Sequence, residues 1–163
     1  MPATREVAYV ALGSNLGSSR ETVLRAMDQL QEFSDQPITR SSLYETDPVD
    51  CPPGSQKFIN AIVALIPRVG ETPETLLKKL QSLEREFGRR PKRVHNEARP
   101  LDLDLIAFAN EVRNTTELTL PHPRAHLRRF VLEPLAEIAP DFILPRQTQK
   151  VMELFAAILS AGE

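Results

Sequence analysis

Cysteine, histidine and glycine are all scarce in this chain: one, three and six respectively among 163 residues. A lone Cys51 excludes an internal disulfide and suits a reducing compartment. His95, His122 and His126 are widely spaced or flanked by proline, which argues against a histidine-built zinc site. Six glycines against 14 prolines imply loops that are long but stiff. No apolar run approaches the roughly 20 residues of a membrane span, and no signal-peptide core follows Met1. Lys plus Arg number 20 and Asp plus Glu 22, a net charge of −2. There is thus no global pull toward nucleic acid or an anionic membrane, and any anion site must be built locally. Two nucleotide signatures are missing as well. Gly13-Ser-Asn-Leu-Gly17 resembles a phosphate loop, but no G-K-[ST] follows it. The H-R-D and D-F-G motifs of protein kinases are absent. The expectation is a single cytoplasmic domain spanning 1–163, with ends that read as complete and with small molecules, not nucleic acid or membrane, as partners.

What is present is organised as alternating strand and helix patterns. Val7–Leu12 reads as a buried strand, followed by a turn at Gly13–Gly17. Ser18 and Glu21 have capping-box spacing for a helix whose apolar stripe is Val23, Leu24, Met27, Leu30 and Phe33. One strand is predicted over Ile38–Thr46 and another over Lys57–Ile66, separated by the proline-rich loop Asp47–Gly54. Thr72-Pro73 opens a helix with stripe Leu76, Leu77, Leu80, Leu83 and Phe87, which Gly88 ends. After the basic loop Arg89–Ala98 comes the strand Leu101–Phe108, then a short strand near Leu118–Leu120. Helices near Phe130–Ile138 and Lys150–Ser160 complete the chain. The order β-α-β-β-α-β is that of a ferredoxin-like α+β fold, an antiparallel sheet with helices on one face.

The strand Leu101-Asp-Leu-Asp-Leu-Ile-Ala-Phe108 carries the most chemistry. Alternation turns Leu101, Leu103 and Leu105 one way and Asp102 and Asp104 the other, with Cα atoms roughly 6.5 Å apart. Side-by-side carboxylates on a strand need positive charge nearby. Mg²⁺ takes such oxygens and shares itself with substrate phosphates. Upstream stands Arg89-Arg-Pro-Lys-Arg93, four cations in five residues, and then Arg99. Guanidinium forks match phosphate oxygens. Solvated surface charge is the plainer meaning of either cluster alone, but their adjacency points to a polyphosphate. Phe58 and Phe130 could sandwich a flat heterocycle, and Asn60, in an otherwise apolar run, could read its edge. His122 is a loop residue suited to a nucleotide contact or to a purely structural role.

Four segments together resemble the 6-hydroxymethyl-7,8-dihydropterin pyrophosphokinase family of folate biosynthesis. They are Ala8–Gly17, Phe58–Leu65, Arg99–Ile106, and Leu120–Arg124 with Arg128–Leu135. The resemblance covers nearly the whole chain, and its R-x-x-D-L-D-[LI] signature is specific. It implies that ATP donates a pyrophosphoryl group to the pterin hydroxymethyl oxygen and that AMP leaves. It implies Asp102 and Asp104 as ligands of two Mg²⁺ ions, with Arg89 and Arg99 beside them in catalysis. Thr46, Pro48, Phe58, Asn60 and Phe130 match pterin-pocket positions. Gln81, Glu84, Arg89, Arg99, His122 and Arg128 match positions near ATP. It also implies mobile loops at Gly13–Leu16, Asp47–Gly54 and Arg89–Ala98, and a monomer. Asn96 stands where some members carry Trp, and Pro91 where some carry a basic residue, so the third loop has no indole lid. Arg90, Lys92 or Arg93 is left to supply that charge. Phe58 in place of Tyr keeps stacking and loses a hydroxyl. Two other readings stay open: a non-catalytic nucleotide-binding module, and an RNA-binding domain. The latter would need surface aromatics on the central strands and a basic sheet face.

Overall fold

The computed structural model describes residues 6–47, 54, 56–88 and 100–161. Its strands are β1 (Ala8–Ser14), β2 (Thr39–Arg40), β3 (Tyr44–Thr46), β4 (Phe58–Leu65), β5 (Asp102–Phe108), β6 (Arg113–Asn114) and β7 (Thr119–Leu120). Its helices are α1 (Ser19–Leu30), α2 (Pro73–Glu86), α3 (Arg129–Ile138) and α4 (Val151–Ser160). The main sheet runs β2-β4-β1-β5, with β3 also paired to β4. All its pairings are antiparallel. Strand and helix order therefore match the ferredoxin-like expectation, with β2 and β3 together standing for one strand.

Alternation along each strand sorts side chains between two cores. Ala8, Val10, Leu12, Leu103 and Leu105 pack with Val23, Met27 and Leu30 of α1 and Leu76, Leu80 and Leu83 of α2. Tyr9, Ile62, Ile106 and Ala107 pack with Val131, Leu132 and Leu135 of α3 and Val151 of α4. Helices thus cover both faces, not one. The two C-terminal helices are apolar enough to require a second face, and they find it on the sheet. The β1–β5 register pairs Tyr9 with Ala107 but Val10 with Leu105, leaving Ile106 as the bulged residue. A bulge places two residues opposite one. Ile106 and Ala107 accordingly both reach the α3–α4 core, and Phe108 returns to the other.

Several local expectations change for physical reasons. The strand expected over Ile38–Thr46 is broken between β2 and β3. Ser41 Oγ accepts from the Ile62 N–H at 2.9 Å, in place of a ladder carbonyl, while Ser41 N–H donates to Ile62 O at 2.9 Å. Leu24 is exposed, because a helical step of about 100° carries it away from the Val23–Met27–Leu30 line. Phe33 lies in a 3-10 turn at Gln31–Phe33 and packs on the core's margin. Ser18 is at the α1 N-cap but its side chain makes no capping bond. Instead, Gln56 Nε2 donates to Gly17 O at 3.0 Å and to Ser19 Oγ at 2.7 Å, tying the turn to the segment before β4. Thr72 does cap α2, in a reciprocal box with Thr75, with Pro73 in the first turn. Gly13 and Ser14 belong to β1 rather than to the turn that follows it.

Candidate active site

Leu101, Leu103 and Leu105 are all buried, each worth about 1.5–3 kcal/mol of burial. A slip of one residue would exchange them for aspartates, so the leucines fix which way Asp102 and Asp104 face. Both carboxylates stand half-exposed on the α3 side of the sheet. Register then lines up a row across the strands: Asp102 on β5 opposite Gly13 on β1, and Gly13 opposite Asn60 on β4. Tyr44 on β3 is opposite Asn60, and Thr46 is opposite Phe58. With strands about 4.8 Å apart, Asp102 and Asn60 are roughly 10 Å from each other across a strip that has no side chain.

That strip is bare because its middle residue is glycine. A Cβ on Gly13 would stand 3.2 Å from Asn60 Oδ1 and 3.9 Å from a Phe58 ring carbon. Glycine within a strand often marks a close approach, and here the missing methyl leaves a floor between an amide and a carboxylate. Asn60 is buried and donates from Nδ2 to Thr46 Oγ1 at 2.7 Å, which turns Oδ1 toward Gly13. Thr46, Phe58 and Asn60 are therefore brought together on one face of the sheet. Pro48, of the same predicted set, lies outside the described residues.

Phe130 lies in the first turn of α3 and is 40% exposed. The Arg128 guanidinium sits over its ring, 5.3 Å from the centroid. These two predicted contacts, one for each substrate, are stacked on each other. His122 follows β7 and donates its backbone N–H to Ile106 O at 2.9 Å, pinning the loop to β5. Its Nδ1 accepts from Arg124 N–H at 3.3 Å, which leaves the ring proton on Nε2. Burial, then the charges of Arg128 and Arg124, push the His122 imidazole below its usual pKa, against a smaller pull from Asp102. His122 is thus neutral at neutral pH and lies within electrostatic reach of Asp102 and Arg128.

Glu84 reaches the same strand in a way that spacing did not reveal. Its Oε2 accepts the Leu103 backbone N–H at 2.8 Å. Leu103 lies between the two aspartates on a strand at the sheet edge, so this carboxylate satisfies an edge donor and anchors the segment that carries both aspartates. Gln81, one turn earlier on α2, is exposed. Arg89, Arg90, Pro91, Lys92, Arg93, Asn96 and Arg99 lie outside the described residues.

Among the described residues no group of three or more His, Cys, Asp or Glu could hold a metal alone. Magnesium asks for less: one or two carboxylates, with substrate phosphates and water completing the octahedron. Two hard oxygen donors side by side on one strand face, next to a side-chain-free floor, fit that demand.

Comparison with known proteins decides the family. The model of the 7,8-dihydro-6-hydroxymethylpterin-pyrophosphokinase family matches residues 9–140. The chain belongs to this family. It is 38% identical over 148 residues to the 2-amino-4-hydroxy-6-hydroxymethyldihydropteridine pyrophosphokinase of Haemophilus influenzae, covering 90% of this chain and 89% of that one. It is 43% identical over 134 residues to the protein of the same name from Bacillus subtilis, covering 81% of this chain and 77% of that one. A solved HPPK-DHPS structure in complex with substrates superposes with a TM-score of 0.75 at 12% identity, over 98% of this chain and 45% of that one. This chain therefore spans less than half of that larger protein, and the likeness speaks for the pyrophosphokinase fold alone. Residues missed by sequence reasoning are Gly13 as the floor, Gln56 as a tie to the β1–α1 turn, and Ser42, Tyr44 and Glu137, which form a cluster at the β3 edge.

Proposed function

We propose that the floor between Asp102 and Asn60 is where this pyrophosphokinase transfers the terminal pyrophosphoryl group of ATP to 6-hydroxymethyl-7,8-dihydropterin, giving the pterin diphosphate and AMP. The observation that carries the reading is the Asp102–Gly13–Asn60 row. It offers anionic oxygens at one end, a hydrogen-bonding amide at the other, and only backbone between. A flat bicyclic pterin lies along such a strip with its polar edge at Asn60 and its hydroxymethyl arm toward the aspartates.

Each side chain then has a task. Asn60 Oδ1 accepts a pterin N–H, its orientation fixed by the bond to Thr46. Phe58 and Phe130 supply ring faces, and Arg128 on one face of Phe130 extends toward the nucleotide. The neutral His122 donates from Nε2 to a phosphate oxygen without adding a charge that must be neutralised. Arg89 and Arg99 complete the anion site by their place in the sequence. Asp102 and Asp104 would hold two Mg²⁺ ions, which when bound neutralise phosphate charge and lower the pKa of a coordinated hydroxyl. Asp104 is the candidate to accept the proton of the hydroxymethyl group as its oxygen attacks the β-phosphorus in line and the bond to AMP breaks.

AMP release measured with ATP, Mg²⁺ and the pterin, each omitted in turn, tests this reading. The expectation is AMP only when all three are present, reduced about a hundredfold or more in Asp102→Asn. AMP release that is indifferent to Asp102 would contradict the placement of the site.

A further inference from the structure

We propose that Glu137 is a positioning residue that sets the geometry of the pterin slot, with Tyr44 and Ser42 as its partners. This rests on the reading that Thr46, Asn60 and Phe130 hold the pterin.

The wall of the slot that carries Thr46 is weakly built. β3 has three residues, pairs among the described residues only with β4, and follows the break at Ser41. Beyond that pairing and surface ion pairs from Glu45 to Arg20 and Lys57, a carboxylate on α3 ties this wall to the helix. Glu137 Oε1 accepts from Ser42 N–H at 2.9 Å and from the Tyr44 hydroxyl at 2.7 Å, and Oε2 accepts from Ser42 Oγ at 2.8 Å. Tyr44 and Thr46 are two apart and share a strand face. Thr46 in turn receives the Asn60 amide at 2.7 Å. The short backbone of β3 thus connects two hydrogen bonds, Tyr44 to Glu137 at one end and Asn60 to Thr46 at the other, and so links Glu137 to the amide that faces Gly13.

Glu137 is also coupled to the other wall. Phe130 and Glu137 are seven residues apart on α3, nearly two full turns, so they lie along one side of the helix about 10.5 Å apart. Helix and strand are separate elements, and these hydrogen bonds join α3 to β3 at Tyr44 and to the segment leading into it at Ser42. Burial alone would raise the Glu137 carboxyl, yet the donors Tyr44 and Ser42 hold it below its usual range. Burial and then the Glu137 bond push the Tyr44 hydroxyl up to about 12. The pair is matched, a carboxylate facing a hydroxyl that keeps its proton.

A purely structural contact would cost stability and leave the two substrates equally affected. A positioning contact changes one substrate. Glu137→Gln and Tyr44→Phe are compared with wild type for the KM of pterin at saturating ATP, the KM of ATP at saturating pterin, kcat and thermal midpoint. Glu137→Gln is expected to raise the pterin KM about tenfold, the worth of roughly one well-made hydrogen bond. Tyr44→Phe, which loses one of three bonds, is expected to raise it about threefold. The KM of ATP and kcat stay within about twofold in both. A pterin KM within twofold of wild type in Tyr44→Phe, or a parallel rise for both substrates, would overturn the role. Tyr44→Phe carries the test by itself if Glu137→Gln does not fold. Wild-type protein that releases no AMP with pterin would overturn the functional reading, and this role with it. Normal wild-type turnover with unchanged variants overturns only the role of Glu137.

Discussion

Gly13→Ala is the substitution that separates the floor from the rest of the fold. Gly13 lies in β1 without a positive φ, so alanine meets no backbone strain there. Strands generally favour a side chain over glycine, by roughly 0.5–1 kcal/mol. The added methyl would stand 3.2 Å from Asn60 Oδ1 and 3.9 Å from Phe58. The first contact is too close by a few tenths of an ångström, so the amide must shift, and its bond to Thr46 at 2.7 Å resists that shift. The floor rises by a methyl where the pterin is to lie flat. Losing one edge hydrogen bond and some stacking costs about 1.5–2 kcal/mol, or roughly a tenfold to thirtyfold rise in the pterin KM. The change in folding stability is expected to stay within about 1 kcal/mol, since relief of glycine's entropy offsets local crowding. Steady-state AMP release at varied pterin and at varied ATP, beside urea unfolding of both proteins, reads all of these quantities. An unchanged pterin KM, or an equal rise in the ATP KM, would refute the floor.

Further expectations concern the groups around it. Glu84→Ala removes the acceptor of the Leu103 N–H and should cost about 1–3 kcal/mol of stability by urea titration. It should also lower turnover by loosening the segment between the aspartates. Glu137 is held below the usual glutamate value of 4.5. Its contribution to stability is therefore full above that value and is lost as pH falls through the lower folded pKa. Wild type should lose stability over Glu137→Gln in that acid range, by unfolding at a series of pH values. Both tyrosines titrate late, Tyr9 through burial and Tyr44 at about 12. Phenolate absorbance of the native chain should lag that of the unfolded chain, whose tyrosines ionise near 10.0. Stability tied to this proton is full below 10 and falls as pH rises through the folded value.

Strand identity and facing were legible where the pattern is local. Leu101, Leu103 and Leu105 alternate with Asp102 and Asp104, and one buried face is enough to fix the other. Helix α2 was legible from Thr72-Pro73 and a leucine stripe. Long-range bonds left no such trace. Ser41 breaks a strand because its hydroxyl answers Ile62, 21 residues away. Glu137 is an ordinary exposed helix glutamate until β3 is folded against it. Glu84 matched a nucleotide-facing position, but its carboxylate is engaged by the Leu103 backbone. Gly13 did carry a signal, since glycine inside a strand suggests a close approach, yet the neighbouring Gly17 made the whole segment read as a turn.

The most direct measurement follows the two phosphates of ATP separately. Protein, Mg²⁺ and 6-hydroxymethyl-7,8-dihydropterin are incubated with ATP labelled at either the α- or the γ-phosphorus. Label from the α position should appear in AMP, and label from the γ position in the pterin diphosphate. Label from the α position in ADP, or γ label released as inorganic phosphate with the pterin unmodified, would contradict pyrophosphoryl transfer by this chain.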